Sequence, residues 1–387
     1  MTTFSGPNAL AQKHSEQLVS LIRDRIDQAG GWLNFSAFMQ LALYAPGLGY
    51  YTAGRQKFSQ LKKDGGDFVT APEMTSLFGL TIAQQVAQIF QEMPGDVLEL
   101  GAGTGKLAAD LLLALADLQC LPAQYFILEV SDHLRQVQLE TLQVKLPPAL
   151  LQRVQWLNAL PADFNGVVLA NEVLDAIPVH LLHATEQGFR ERGVAWRDGF
   201  VWQDQAIQSA HLLSLATQQN LATGYLTEFC PAASALMASL ALCLQRGAII
   251  LIDYGFSARE YYHPQRNQGT LMCHYQHHAH IDPLVNVGLQ DITAHVDFTS
   301  IAYAGVNNGL SLAGFCSQAQ FLMNAGILQL MERVAPDDVV RYAPLAAAAQ
   351  TLLSPAEMGD LFKVMAFTKN LSEPLVGFSR GDKSHTL

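Results

Sequence analysis

The stretch Asp96–Lys106, Asp-Val-Leu-Glu-Leu-Gly-Ala-Gly-Thr-Gly-Lys, constrains the fold of this 387-residue chain more than any other. Asp96–Leu100 reads as a short apolar strand, Gly101, Gly103 and Gly105 interrupt it, and Leu107–Leu118 resumes with helical periodicity. Glycine tolerates positive φ and lets a ligand approach the backbone, while the first N–H groups of the following helix lack intrahelical partners. A strand, a glycine turn and a helix in that order predict an α/β sheet with a nucleotide-like ligand at its carboxyl edge.

Strands and helices alternate downstream. Tyr125–Val130 reads as a second strand, Asp132–Thr141 as a helix and Val154–Leu157 as a third strand. Gly166–Ala170 is a fourth, apolar throughout and therefore buried on both faces, and Ala248–Tyr254 and Phe362–Lys369 supply more. This alternation predicts a doubly wound, mainly parallel sheet. Upstream, Leu10, Leu18, Leu21, Ile22 and Ile26 mark one face of a helix stopped by Gly30-Gly31. Phe35–Leu43 and Ser76–Phe90 are further helices, separated by a long loop over Tyr50–Pro72. Phe189–Trp196 and Phe200–Trp202 predict a hairpin around Asp198-Gly199, and Tyr225–Leu244 a helix. His263–His280 reads as an irregular loop and Asp291–Phe298 as a strand. Helices are expected beyond it, one of them opened by the capping box Ser354-Pro355-Ala356-Glu357.

Half the residues are hydrophobic and 15% are charged, which excludes a disordered chain. A net charge of −11 argues against nucleic acid as the main partner. Cys120, Cys230, Cys243, Cys273 and Cys316 form no C-x-x-C pair, and their odd number suits a reducing compartment. No apolar run is long enough to span a bilayer, and the first residues carry neither a signal-peptide pattern nor an Arg-rich stretch. A soluble, cytoplasmic protein is expected on these grounds. His274, His277, His278 and His280 beside Cys273 match no zinc spacing, so no metal is expected.

Three ligands compete for the glycine turn. A phosphate loop requires G-x-x-x-x-G-K-[ST], whereas Gly105-Lys106 is followed by Leu107 and preceded, five positions before Gly105, by Leu100. A dinucleotide turn requires G-x-G-x-x-G, and Lys106 takes the sixth position. The form E-x-G-x-G-x-G resembles motif I of the class I methyltransferases. Glu129, ending the second strand, could accept hydrogen bonds from both ribose hydroxyls, as acidic residues do in dinucleotide enzymes.

Other segments make the resemblance specific. They are Gly66-Asp-Phe-Val-Thr-Ala-Pro-Glu-Met74 with Phe78-Gly79, Ala170-Asn-Glu-Val-Leu-Asp-Ala-Ile-Pro178, Ile252-Asp-Tyr-Gly255, Gly269-Thr-Leu271, Asp291-Ile-Thr-Ala-His-Val-Asp-Phe298 and Met358-Gly-Asp-Leu-Phe-Lys-Val364. In order and spacing they resemble the MidA-like methyltransferases. That resemblance implies S-adenosylmethionine as cofactor and a Rossmann-like seven-stranded α/β sheet with N-terminal helices, a helical insertion and helical C-terminal additions. It also implies a division into residues 1–75, helices and a cofactor-covering loop, and residues 76–387, catalytic, with insertions at about 185–245 and 300–360.

The family's eukaryotic branch is a mitochondrial arginine methyltransferase that assists assembly of respiratory complex I. A protein side chain, arginine foremost, is therefore the implied acceptor. Cofactor contacts are expected from Thr70, Pro72, Glu99, Gly101, Ala102, Gly103, Gly105, Glu129, Asn171 and Glu172, and chemistry from Glu172, Asp175, Asp67 and His295, with Asp297 beside the acceptor. Carboxylates suit a guanidinium, which stays protonated at neutral pH and must present one nitrogen to the methyl group. A protein substrate and a second copy of the chain are the expected partners, with no nucleic acid and no membrane span. Two other functions stay open: a cofactor-binding assembly factor with little turnover, and a small-molecule methyltransferase.

Overall fold

The computed structural model describes residues 7–54 and 70–387. They gather into two compact units. One holds residues 7–54 with Ala176–Ala233 and Glu260–His295, and the other residues 70–175 with Ser234–Arg259 and Val296–Leu387. The contacts thus set the breaks elsewhere than at residue 75: the N-terminal helices share a unit with two segments that interrupt the catalytic sheet in sequence.

The second unit is built on a sheet with seven strands along its path, β1 (Asp96–Leu100), β2 (Tyr125–Leu128), β3 (Val154–Leu157), β4 (Phe164–Asn171), β5 (Leu244–Phe256), β6 (Ser311–Ser317) and β7 (Phe362–Lys369), and a short eighth, Val296–Asp297, paired parallel to the end of β5. The order of the seven is β3-β2-β1-β4-β5-β7-β6. The first five run parallel, and β7 is antiparallel to both β5 and β6. Helices α1 (Ser76–Glu92), α2 (Lys106–Asp117) and α3 (Asp132–Lys145) precede β1, β2 and β3. The consecutive Val167 and Val168 are both fully buried, as a parallel strand covered on both faces requires. The strand order reverses between β1 and β4, so the connections that follow them lead away in opposite directions and leave at their carboxyl ends the crevice in which such sheets bind ligands.

The first unit carries an antiparallel sheet in which Leu33–Asn34, Gly188–Trp196, His180–Thr185 and Leu226–Phe229 lie in that order, with Phe200–Ala206 also paired to Gly188–Trp196. Leu18, Ile22 and Ile26 of the first helix pack with Phe35, Phe38, Leu181 and Val194 in its core.

Several local expectations are corrected. Tyr225–Leu244 is not one helix: Leu226–Phe229 is a strand and Pro231–Cys243 the helix. The residue before a proline is driven out of the α region, and Pro231 at the first helical position marks the true start. The polar run before His280 contains the hairpin Met272–Tyr275 and His278–His280. Its turn residues Gln276 and His277 both have positive φ, the geometry of a two-residue turn that matches strand twist. The strand expected over Asp291–Phe298 is Asp291–Thr293 and Val296–Asp297, followed at once by the helix Phe298–Asn307. Ser311–Ser317, expected among helices, is a strand with a register shift between Leu312 and Gly314. Ser354 ends the helix Val339–Leu353 instead of opening one, because Pro355 forbids its continuation, and the next helix starts at Met358. The segment between β4 and β5 combines four strands with the helices Ala210–Gln218 and Pro231–Cys243, so the insertion is helical only in part.

Candidate functional site

At the carboxyl edge of the sheet stand the turns that follow β1, β2 and β4, with Asp253 of β5 beside the last. In the first, Gly101, Gly103 and Gly105 have φ of +61°, +54° and +84°. A Cβ on Gly105 would stand 3.2 Å from the Gln138 Cα of α3, so the turn and α3 can approach only at a glycine. A Cβ on Gly103 would meet no atom of the described residues within 4 Å, so among them the space over the middle of the turn is open.

The turn is anchored from two sides. The short helix Ala71–Met74, with Thr70 at its N-cap and Pro72 in its first turn, places Glu73 so that its carboxylate accepts from the Thr104 hydroxyl. Lys106 is turned away toward Asp110, at 2.6 Å, and Ser76. From α3, the Gln138 amide donates to the Gly103 carbonyl at 3.1 Å. Ala102 is buried, and its carbonyl accepts from Gly105 N–H.

Glu129 follows β2. Its carboxylate accepts from Ser131 N–H at 2.9 Å and from the Gln138 amide at 3.0 Å. Burial pushes its pKa up, and the Ser131 and Gln138 hydrogen bonds oppose that shift. Val130 beside it is 75% exposed, an apolar side chain left facing outward at the sheet edge. Glu99 lies one residue back from the turn and is buried; its carboxylate accepts from the Tyr125 hydroxyl at 2.7 Å.

Burial pushes the Glu99 carboxyl up to about 7 from an ordinary 4.5, the Tyr125 hydrogen bond opposes this, and the Glu129 charge adds to it. Between these two values the folded chain holds a proton that the unfolded chain has lost. Glu99 therefore favours folding fully below pH 4.5, and that contribution disappears as pH rises through 7. The loss is about 3 kcal/mol. Glu99→Gln should remove this part of the slope, so urea unfolding midpoints measured from pH 4.5 to 8 should fall less in the variant than in the parent.

At the end of β4, Asn171 donates from its amide to the Glu172 carboxylate at 3.0 Å, while its own Oδ1 is buried with no hydrogen-bond partner among the described residues. Glu172 has φ +53°, which side chains other than Gly, Asn and Asp rarely adopt. Such backbone persists only where its surroundings hold it, and here they do. Glu172 N–H donates to Ile252 O, and the Asp253 carboxylate accepts from the N–H groups of Val173, Leu174 and Asp175 at 3.1, 2.8 and 3.3 Å. The pairing Ile252↔Asn171 is the last between β5 and β4, so Asp253, still paired with Lys363 of β7, stands one residue past it and within reach of that turn. Burial pushes Asp253 up to about 7 against those N–H groups and that of Tyr254. No helix follows Glu172; the chain turns through Asp175, which is buried, so neither acid is a helix cap.

The structure therefore gathers Thr70, Pro72, Glu99, Gly101, Ala102, Gly103, Gly105, Glu129, Asn171, Glu172 and Asp175 within one unit. Asp67 lies outside the described residues. His295 belongs to the other unit, where its N–H donates to Thr270 Oγ1. Asp297 caps the helix Phe298–Asn307, accepting from Thr299 and Ser300 N–H. Sequence reading missed Gln138, whereas Glu73 and Asp253 lie in segments that the resemblance had already picked out. The available signals were a glutamine one turn from Leu142 on the buried stripe of α3, and an acid directly after the apolar run Ala248–Ile252. Among the described residues, no group of three or more His, Cys, Asp and Glu could hold a metal ion, and no helix is long and apolar enough to cross a membrane.

The open space above Gly103 and the orphaned acceptor of Asn171 fit a ligand that brings hydrogen-bond donors to the β1–β4 crevice. Sheet order and site together define a class I S-adenosylmethionine-dependent methyltransferase. A family model for S-adenosyl-L-methionine-dependent methyltransferases matches residues 81–316, and the chain belongs to that family. A crystal structure from Burkholderia thailandensis bound to S-adenosyl-homocysteine is similar over all of both chains, with 49% identity and a TM-score of 0.95. The human protein named "Protein arginine methyltransferase NDUFAF7, mitochondrial" is 26% identical over 94% of this chain and 86% of its own length. The Drosophila melanogaster homologue of that name is 28% identical over 97% of this chain and 90% of its own.

Proposed function

We propose that this methyltransferase acts on a protein side chain, with arginine as the acceptor. The observation that carries the reading is the turn Asn171–Asp175, where a strained backbone held by Asp253 presents two acids at the carboxyl end of β4. The names of the 26–28% identical relatives support it. In this reading the glycine turn, Glu129 and Asn171 hold the cofactor. When bound, S-adenosylmethionine supplies an electrophilic methyl group on a sulfonium. Glu172 and Asp175 would orient the guanidinium and leave one nitrogen facing the methyl group; as the N–C bond forms the S–C bond breaks, S-adenosylhomocysteine is the leaving group, and the N–H proton passes to a carboxylate of the pair. Thr70, Pro72 and Glu73 support the turn from its outer side. The five free cysteines fit a reducing compartment, and the cytoplasm is the one proposed.

Glu172→Gln keeps the shape of the side chain and removes its charge. Transfer should fall ~100-fold, as when one preorganised electrostatic partner is removed, with S-adenosylhomocysteine affinity within ~3-fold of the parent. Unchanged transfer in Glu172→Gln and Asp175→Asn, with cofactor bound, would instead favour an assembly factor that needs no turnover.

A further inference from the structure

Gln138 is fully buried in the middle of α3, on the stripe that also carries Leu142. A buried primary amide is costly unless each polar atom is satisfied. Here each is, by groups from three successive strands. The amide nitrogen donates to the Gly103 carbonyl in the turn after β1, at 3.1 Å, and to the Glu129 carboxylate after β2, at 3.0 Å. The amide oxygen accepts from the Trp156 indole N–H on β3, at 2.8 Å. The indole can only donate, so it fixes which end of the amide faces it. The nitrogen is thereby committed to two groups that accept.

We infer that Gln138 is a positioning residue that sets the Glu129 carboxylate against the glycine turn so that Glu129 can read the ribose hydroxyls of the cofactor, and that Trp156 locks its orientation. The inference rests on the reading of Glu129 as the ribose acceptor. Glu129 spends one oxygen on Ser131 N–H and the other on Gln138, which fixes the carboxylate plane and leaves the remaining lone pairs for the ligand. The ties also run back to the turn itself. Because Gln138 holds Gly103 O, and its own backbone lies against Gly105, the turn and the carboxylate cannot shift independently. Hydrogen-bond chains of this kind are strengthened by burial and fail as a unit. Nothing else among the described hydrogen bonds links the turn after β1 to the Glu129 carboxylate.

The test separates ribose reading from mere folding. Dissociation constants of S-adenosylhomocysteine and its 2′-deoxy analogue are measured by calorimetry for the parent, Gln138→Leu, Trp156→Phe and Glu129→Gln, with melting temperatures alongside. The parent should prefer the ribose form by at least ~10-fold, the worth of a hydrogen bond to a charged group. In Gln138→Leu that preference should collapse to within ~3-fold while affinity for the ribose form drops ~10-fold. Trp156→Phe keeps Gln138 and frees its orientation, so it should lose part of the preference, and it carries the test if Gln138→Leu does not fold. Full preference and affinity in a folded Gln138→Leu, or in Trp156→Phe where the first variant fails to fold, would overturn the inference. If Glu129→Gln collapses the preference and the other two do not, only the role of Gln138 is lost. If Glu129→Gln keeps it, the ribose reading fails and the inference with it.

Discussion

Asp253→Ala should abolish measurable methyl transfer and destabilise the fold. The residue touches no ligand in the arrangement described; its carboxylate is the acceptor for Val173, Leu174, Asp175 and Tyr254 N–H. Removing it orphans those donors where the carboxylate was 1% exposed. Each buried donor left unmatched costs ~1–3 kcal/mol, and water entering the space recovers part of that, for a net loss of ~3–5 kcal/mol in urea unfolding. The functional loss has a separate cause. Glu172 sits at φ +53° against its own preference, and the Asp253 bonds hold the residues that follow it. Released, Glu172 relaxes to an ordinary conformation and its carboxylate leaves the acceptor side. Asp253→Asn keeps the volume and one acceptor oxygen, so it should be intermediate in both measurements. Parental transfer rates in a folded Asp253→Ala would show that the turn needs no such support.

Gly103→Val should abolish cofactor binding with a smaller effect on folding. At φ +54° a β-branched residue is strained by ~1–2 kcal/mol, but no atom of the described residues lies within 4 Å of the added Cβ. The new side chain enters the open space over the turn, where the cofactor must approach the backbone. S-adenosylhomocysteine affinity should fall more than ~100-fold, as lost contacts and a steric clash add. The melting temperature should drop by only about 2–4 °C. Gly105→Ala should behave in the opposite sense, damaging folding first, because its Cβ would press on α3 at Gln138. Parental affinity in Gly103→Val would remove the glycine turn from the site.

Much of this site was legible in the residues because its parts are local. The glycine turn, the acid after β2 and the Asn171–Asp175 segment each lie within a few residues of an apolar strand, and a parallel sheet brings strand ends to one edge whatever the intervening sequence. What joins those parts was not legible. Gln138 meets Gly103 and Trp156 across 35 and 18 residues, and Asp253 meets Leu174 across 79. No short-range pattern encodes such partners. The misread elements share that cause. Leu226–Phe229 is a strand because it pairs with His180–His183, and Glu228 tolerates burial there because Thr270 and Leu271 N–H donate to its carboxylate. Ser311–Ser317 is a strand because β7 offers it an edge, despite Gly314 and the shifted register. Ser354–Glu357 satisfied every local rule for a helix start and lost to the proline that ends the helix before it.

The central claim is that a carboxylate-lined turn beside this cofactor crevice directs methyl transfer to arginine. The most direct test incubates the protein with methyl-labelled S-adenosylmethionine and an extract of its own cell, then identifies the labelled amino acid by mass spectrometry, with Glu172→Gln in parallel. The expected result is label on arginine of one or a few proteins with the parent, and none with the variant although it still binds cofactor. Label on a small molecule or on another residue type, or equal labelling by the variant, would contradict it.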